Sequence, residues 1–193
     1  MRSFGIDLTG SDKRASGVAL LEDYRVVYTR RVKSDAEMIS LAINASVGVV
    51  SIDSPLSLPE DSKKIYRDCE LALKRRGIGV YWCLLPSMKA LTMRGIVMAA
   101  ELRRLVNLAY FPGFEVIESY PGAAQDLLGV PRKRKGKQEL RDGLLRFGIG
   151  YVPTDLSHDE LDAITAALVG IFYLRGDYEA LGTLILPKSS LQS

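Results

Sequence analysis

Apolar positions at the start of the chain fall into three short runs, over 2–8, 15–21 and 25–32, separated by the turn Thr9-Gly10-Ser11-Asp12 and a second turn near Tyr24. This pattern predicts three strands joined as an antiparallel meander. Strand alternation sets Phe4, Ile6 and Leu8 on one face and Ser3, Gly5 and Asp7 on the other. The period then changes. Ser34-Asp35-Ala36-Glu37 has the form of a capping box, and Met38, Leu41, Ala42 and Ala45 recur at helical spacing. A helix here crosses to a strand over 47–53 that lies parallel to the first.

The stretch 54–113 is less regular, broken by Pro55, Pro59 and Pro86, with a charged helix expected over 62–76 and another over 89–110. An apolar strand over 115–119 ends at Tyr120-Pro121-Gly122 and leads into a short helix over 123–128, a basic loop and a helix over 137–147. Ser157, with Glu160 three residues on, opens a final helix through Ala163, Ala166, Ala167, Val169 and Gly170 to about Tyr173. Its small residues let it lie close to a sheet. Three meandering strands followed by a helical crossover resemble the opening half of an RNase H-like sheet. The expected architecture is a single α/β domain over 1–193: a mixed central sheet flanked by helices, elaborated over about 54–113.

Composition narrows the setting. With 193 residues and 47% apolar content, the chain can build a substantial core without disulfides or structural metal. A net charge of +3 is too small to mark a nucleic-acid binder by itself, so the distribution of charge matters more than its total. Cys69 and Cys83 lack metal-ligand spacing, and the N-terminus lacks the layout of a secretory signal. No apolar run approaches the roughly 20 residues a membrane helix needs. The expectation is a soluble, cytoplasmic protein with no membrane partner.

The candidate chemistry is acidic. Asp7, Asp53 and Glu118 each end an apolar run just before a turn or breaker, where a carboxylate must be paired, protonated or bound to a cation. Local explanations exist for two of them: Asp7 could cap the Thr9 and Gly10 amides, and Asp53-Ser54-Pro55 could close an Asx turn. Glu118 is a poor turn former, which leaves an exposed edge or a ligand. In the last helix the dipole accounts for Asp159, whereas Asp162 lies deeper beside the alanine-rich side. His158, the only histidine, stands four residues before Asp162, where it could assist proton transfer or simply be solvated. Arg132, Lys133, Arg134, Lys135 and Lys137 could track a phosphate backbone or form a solvated loop. Arg67, Arg75, Arg76, Lys89 and Arg94 add charge to the elaboration, and Tyr81 and Trp82 offer faces for a base to stack on or for helices to pack against.

Taken in order, Gly5-Ile6-Asp7, Asp53-Ser54-Pro55, Arg67-Asp68-Cys69-Glu70, Glu118-Ser119-Tyr120-Pro121 and Ser157-His158-Asp159-Glu160-Leu161-Asp162-Ala163 resemble domain-of-unknown-function family 429, a family of predicted nucleases with an RNase H-like fold. The resemblance spans nearly the whole chain and includes a terminal strand segment over 181–187. It implies that Asp7, Asp53, Glu118 and Asp162 form a catalytic cluster holding two Mg²⁺ or Mn²⁺ ions for phosphodiester hydrolysis of DNA or RNA. Glu37, the nearest candidate for the first-helix acid of RNase H proper, is accounted for by capping, so a resolvase-type arrangement is the better match. Two other readings remain open at this level. Asp7-Leu8-Thr9-Gly10-Ser11 also resembles the phosphate-binding hairpin of sugar-kinase and actin-like proteins, which would make the chain an ATP-binding phosphotransferase needing a homodimer to complete its cleft. A non-catalytic nucleic-acid-binding protein would use the basic loop alone.

Overall fold

The computed structural model describes residues 1–108 and 114–188. Three strands open the chain, β1 (Arg2–Asp7), β2 (Ser16–Glu22) and β3 (Arg25–Val32), in the expected antiparallel meander. The crossover helix α1 (Asp35–Asn44) is capped by Ser34, whose hydroxyl accepts from the Glu37 amide, and delivers β4 (Val49–Asp53) parallel to β1. Then follow α2 (Asp68–Arg75), α3 (Pro86–Leu108), β5 (Glu115–Ser119), α4 (Pro121–Leu128), a single 3₁₀ turn at Lys133–Lys135, α5 (Lys137–Phe147), α6 (His158–Arg175) and the hairpin β6 (Tyr178–Leu181) with β7 (Leu184–Pro187). The sheet runs β3-β2-β1-β4-β5-β7-β6. Parallel pairing of β1, β4 and β5 sets their C-terminal ends side by side at one edge, the end at which open α/β sheets bind ligands.

Both faces of the sheet are covered. Phe4, Ile6 and Leu8 pack with Met38 and Ala42 of α1 and Met98 and Leu102 of α3. On the opposite face Ala19 and Leu21 meet Leu161, Ile164 and Leu168 of α6 and Leu140 and Leu144 of α5. The second face admits α6 at unusually short range because β1 and β2 offer glycine beneath it. A Cβ on Gly5 would lie 2.1 Å from the Ala163 carbonyl oxygen, and one on Gly17 would lie 2.1 Å from the Asp159 carbonyl oxygen. The alanines of α6 thus rest on bare backbone, which brings the acidic first turns of that helix down to the ends of β1 and β2.

The elaboration differs from expectation in extent. The charged helix expected over 62–76 forms only as α2, because Arg67 is extended (φ −103°, ψ 161°) and its amide donates to the Glu70 carboxylate at 3.1 Å. That bond starts the helix at Asp68, and the preceding residues stay irregular, with the Lys63 amide turned onto Asp61. Pro86 opens α3 three residues earlier than expected, since proline at the first helical position lacks only an amide the helix does not use. The expected end of that helix at Tyr110 lies outside the described residues. No helix among the described residues is long and apolar enough to cross a membrane.

Candidate active site

Asp7 and Asp53 are direct register partners on neighbouring parallel strands, which fixes their backbones at about the 4.8 Å strand spacing with both side chains on one face. The turn-capping explanation for Asp7 does not hold, because the Thr9 amide donates to Ser16 Oγ at 3.0 Å. The Thr9 loop is held from the other side by Arg94 of α3, which donates to the Thr9 carbonyl oxygen at 2.6 Å and is itself paired with Asp35. Nor does Asp53 close an Asx turn: the Ser54 amide donates to the Ile52 carbonyl, and the Ser54 hydroxyl donates to the Leu91 carbonyl at 3.1 Å.

Asp162 enters from above, on the part of α6 that the glycine strands let approach. One of its oxygens accepts from Gln125 Nε2 at 2.8 Å and the other lies 3.0 Å from Lys133 Nζ. Gln125 is buried on α4 and also reaches Thr165, so it fixes the Asp162 carboxylate in place. Three carboxylates with one ammonium between them are short of countercharge, and the electrostatics register it. Burial first, then the charges of Asp53 and Asp162, hold Asp7 well above the usual carboxylate range, with a further contribution from Asp159. Burial and Asp162 push Asp53 up to about 8, against the opposing influence of Lys133. Burial works against the charge on Lys133, yet Asp162, Asp7 and Asp53 together raise its affinity for its proton.

Glu118 sits one strand further on but serves differently. Its Oε1 accepts from Arg67 Nη2 at 2.7 Å, while Oε2 accepts from Arg67 Nη1 at 2.7 Å, the Leu56 amide at 2.8 Å and the Thr183 hydroxyl at 2.7 Å. Four donors fill a carboxylate. Neither the solvent-facing edge nor the free ligand expected of Glu118 describes it, for it is 3% exposed and closed by an arginine. Arg67 also donates through Nε to Glu70 at 2.9 Å, and Glu70 in turn accepts the Cys83 amide. One guanidinium thereby ties α2, β5 and the terminal hairpin together.

The acids open into two hollows. One, of about 290 Å³, is lined by Asp7, Asp53 and Asp159 together with Leu73, Met88 and Leu91. The other, of about 480 Å³, is lined by Asp162, Arg132 and Arg134. They share Asp53, Val80, Tyr81, Tyr120 and Lys133. Ser119, the register partner of Asp53 on β5, lines the first hollow; it is 2% exposed, and its hydroxyl has no hydrogen-bond partner among the described residues. Asp159, which the helix dipole accounts for in sequence, therefore shares the cleft, whereas His158 stands exposed and lines neither hollow. As the side chains are placed, no three His, Cys, Asp or Glu residues among those described are gathered closely enough to hold one ion.

The basic residues divide. Arg132 is held by Asp126 and lies over the Tyr120 ring, and Lys133, though its side chain is exposed, sets its ammonium on Asp162. Arg134, Lys135 and Lys137 remain exposed. In the elaboration, Arg67, Arg76 and Arg94 are engaged by Glu118, Glu179 and Asp35. Trp82 is packed against Tyr66 and covered by the Lys74 ammonium 3.5 Å from its ring, so it offers no free face. Gln125 and the pairing of Arg67 with Glu118 were not foreseen; a glutamine among the alanines of a buried helix face was the one available signal for the former.

No family model matches the chain, and no curated protein does. Among solved structures the fold is similar to that of T. thermophilus RuvC in complex with Holliday junction substrate, with a TM-score of 0.50 and 16% identity over 91% of this chain and 97% of that one. The mixed sheet with helices on both faces has an RNase H-like fold.

Proposed function

We propose that this protein is a divalent-metal-dependent nuclease that hydrolyses phosphodiester bonds in nucleic acid. The observation that carries the reading is the convergence of Asp7, Asp53 and Asp162, from two strands and a helix, on a single ammonium as countercharge, with the proton affinities of Asp7 and Asp53 raised. A fold does not need two buried acids and a half-buried one opening on the same cleft; together they cost stability unless a cation joins them. The donor set is all oxygen, which suits Mg²⁺ or Mn²⁺. Asp7, Asp53 and Asp162 would hold the ions, with Asp159 at the rim. When bound, such ions activate water and stabilise the leaving oxygen.

The chain's own groups do the rest. Gln125 keeps one oxygen of Asp162 in a fixed direction. Lys133 lines both hollows and brings positive charge beside Asp162, where a phosphate must enter against three carboxylates. The unpartnered Ser119 hydroxyl is free to donate to a phosphate oxygen beside Asp53. Exposed Arg134, Lys135 and Lys137 supply sequence-independent attraction for the backbone outside the cleft. Glu118 is not among the ligands in this proposal; it anchors Arg67. The structural likeness to a protein solved with a Holliday junction supports nucleic acid as the substrate class.

The test is incubation of the purified protein with single-stranded, duplex and branched DNA and RNA, with Mg²⁺ or Mn²⁺. Cleavage of at least one of these substrates is expected, lost with EDTA. It is also expected to fall in Asp7→Asn by more than the roughly 10–100-fold that losing an outer-shell partner of a metal costs. A properly folded protein that cleaves none of them with either ion would overturn the reading.

A further inference from the structure

Two of the three carboxylates are recessed, and Asp53 is half-buried. Asp7 keeps 8% and Asp162 3% of its accessible surface, so a scissile phosphate must descend into the hollows to meet them. Leu73, Met88 and Leu91 line the first together with Arg14 and Lys133, and Val80, Tyr81 and Tyr120 line the second together with Arg134 and Lys133, so each offers apolar surface to a base and positive charge to a phosphate. At about 290 Å³ and 480 Å³ they lie at the bottom edge and in the lower part of the range for small-molecule sites, roughly 300–1,000 Å³, far from the room a stack of base pairs needs.

Between them stands Tyr81, which lines both hollows and is 70% exposed. Large exposed aromatics are uncommon next to buried charge, and Tyr81 forms no ring pair among the described residues, unlike its neighbour Trp82. Its loop is anchored on both sides. The Gly79 carbonyl accepts from the Tyr120 hydroxyl at 2.7 Å and from Arg132, and the Cys83 amide donates to Glu70. A flat ring is thus held ready beside the acids with nothing stacked on it.

We propose that the cleft takes an unpaired polynucleotide strand, with successive nucleotides in the two hollows and Tyr81 stacking on the base next to the scissile phosphate. The proposal rests on the nuclease reading and narrows its substrate. A paired strand would have to unstack before its phosphate reached the floor, at a cost of a few kcal/mol that an unpaired strand does not meet. Tyr81 accepts any base, since every base has a stacking face.

The experiment measures fluorescence anisotropy of a short fluorescein-labelled DNA strand, the RNA of the same sequence, and the corresponding DNA duplex. The full-length protein is titrated in Ca²⁺, an oxygen-binding ion without the strict octahedral demand of Mg²⁺. The strands are expected to bind at least about tenfold more tightly than the duplex. Tyr81→Ala is expected to weaken strand binding about 5- to 100-fold, Tyr81→Phe to restore it, and duplex binding to stay unchanged in both. A preference for DNA over RNA, or the reverse, identifies the strand. Equal affinity for duplex and strand, or strand binding unmoved by Tyr81→Ala, overturns the proposal. Cleavage confined to duplex with Mg²⁺ would overturn it while leaving the nuclease reading intact; a Tyr81-dependent preference for strands without cleavage under any ion would do the opposite.

Discussion

Arg67→Ala is expected to lower the unfolding free energy by about 3–5 kcal/mol, the cost typical of removing one partner from a buried ion pair. The guanidinium is 7% exposed and joins Glu118, at 3%, to Glu70, at 2%, so the variant leaves two buried carboxylates facing an empty space. The charge of Glu118 then has only the Leu56 amide and the Thr183 hydroxyl, and the elaboration loses its fastening to β5. Equilibrium urea unfolding at neutral pH reads the loss as a lower midpoint. Arg67→Lys restores little of it, because an ammonium cannot make two parallel bonds to Glu118 while also reaching Glu70. The double variant Arg67→Met with Glu118→Leu is expected to recover part of the loss, since an apolar pair of similar volume removes the orphaned charge. An Arg67→Ala protein with an unchanged midpoint and one additional bound divalent ion would instead return Glu118 to the metal site.

Asp53→Asn is expected to end cleavage while making the protein more stable at alkaline pH. Asp53 binds its proton more tightly in the folded state, with a value of about 8 against an ordinary 3.8. Between these values the folded chain holds more protons than the unfolded one, so stability falls as pH rises, from its full value near pH 4 to its loss through about pH 8. Asparagine resembles the protonated acid and carries no charge at any pH. The variant and wild type should therefore melt together near pH 4 and separate progressively toward pH 9. Allowing for solvent at the cleft mouth, the gap is about 1–2 kcal/mol, or roughly 2–8 °C in Tm for a chain of this size. Differential scanning calorimetry across that pH range, without divalent ions, measures it. A variant that is less stable than wild type at alkaline pH would show that the acids are not crowded.

The strands and the main helices could be read from sequence because their signals are local. Alternation along β1, the capping serines before α1 and α6 and the small residues of α6 each lie within a few positions of what they determine. Asp7 and Asp53 were legible as a pair because parallel strands of similar pattern, ending in the same way, were expected side by side. Asp162 followed from the alanine side of its helix, although the reason it approaches so closely lies in Gly5 and Gly17, far away in sequence. The fate of Glu118 was not legible. Its partner stands 51 residues away, on a segment whose charged spacing mimics a longer helix, and nothing local distinguishes an arginine that will be buried from one that will be solvated. For the same reason Tyr81 and Trp82 looked alike until packing gave Trp82 its neighbours and left Tyr81 open.

The account depends on the three aspartates being a cation site and not merely an expensive feature of the core. Crystals of the wild-type protein grown with Mn²⁺, with diffraction recorded at the manganese absorption edge, decide it most directly. The predicted result is anomalous density between Asp7 and Asp53 with Asp162 contributing an oxygen. Absence of any anomalous peak at the cluster, with Lys133 still seated on Asp162 in Mn²⁺-rich crystals, would contradict it.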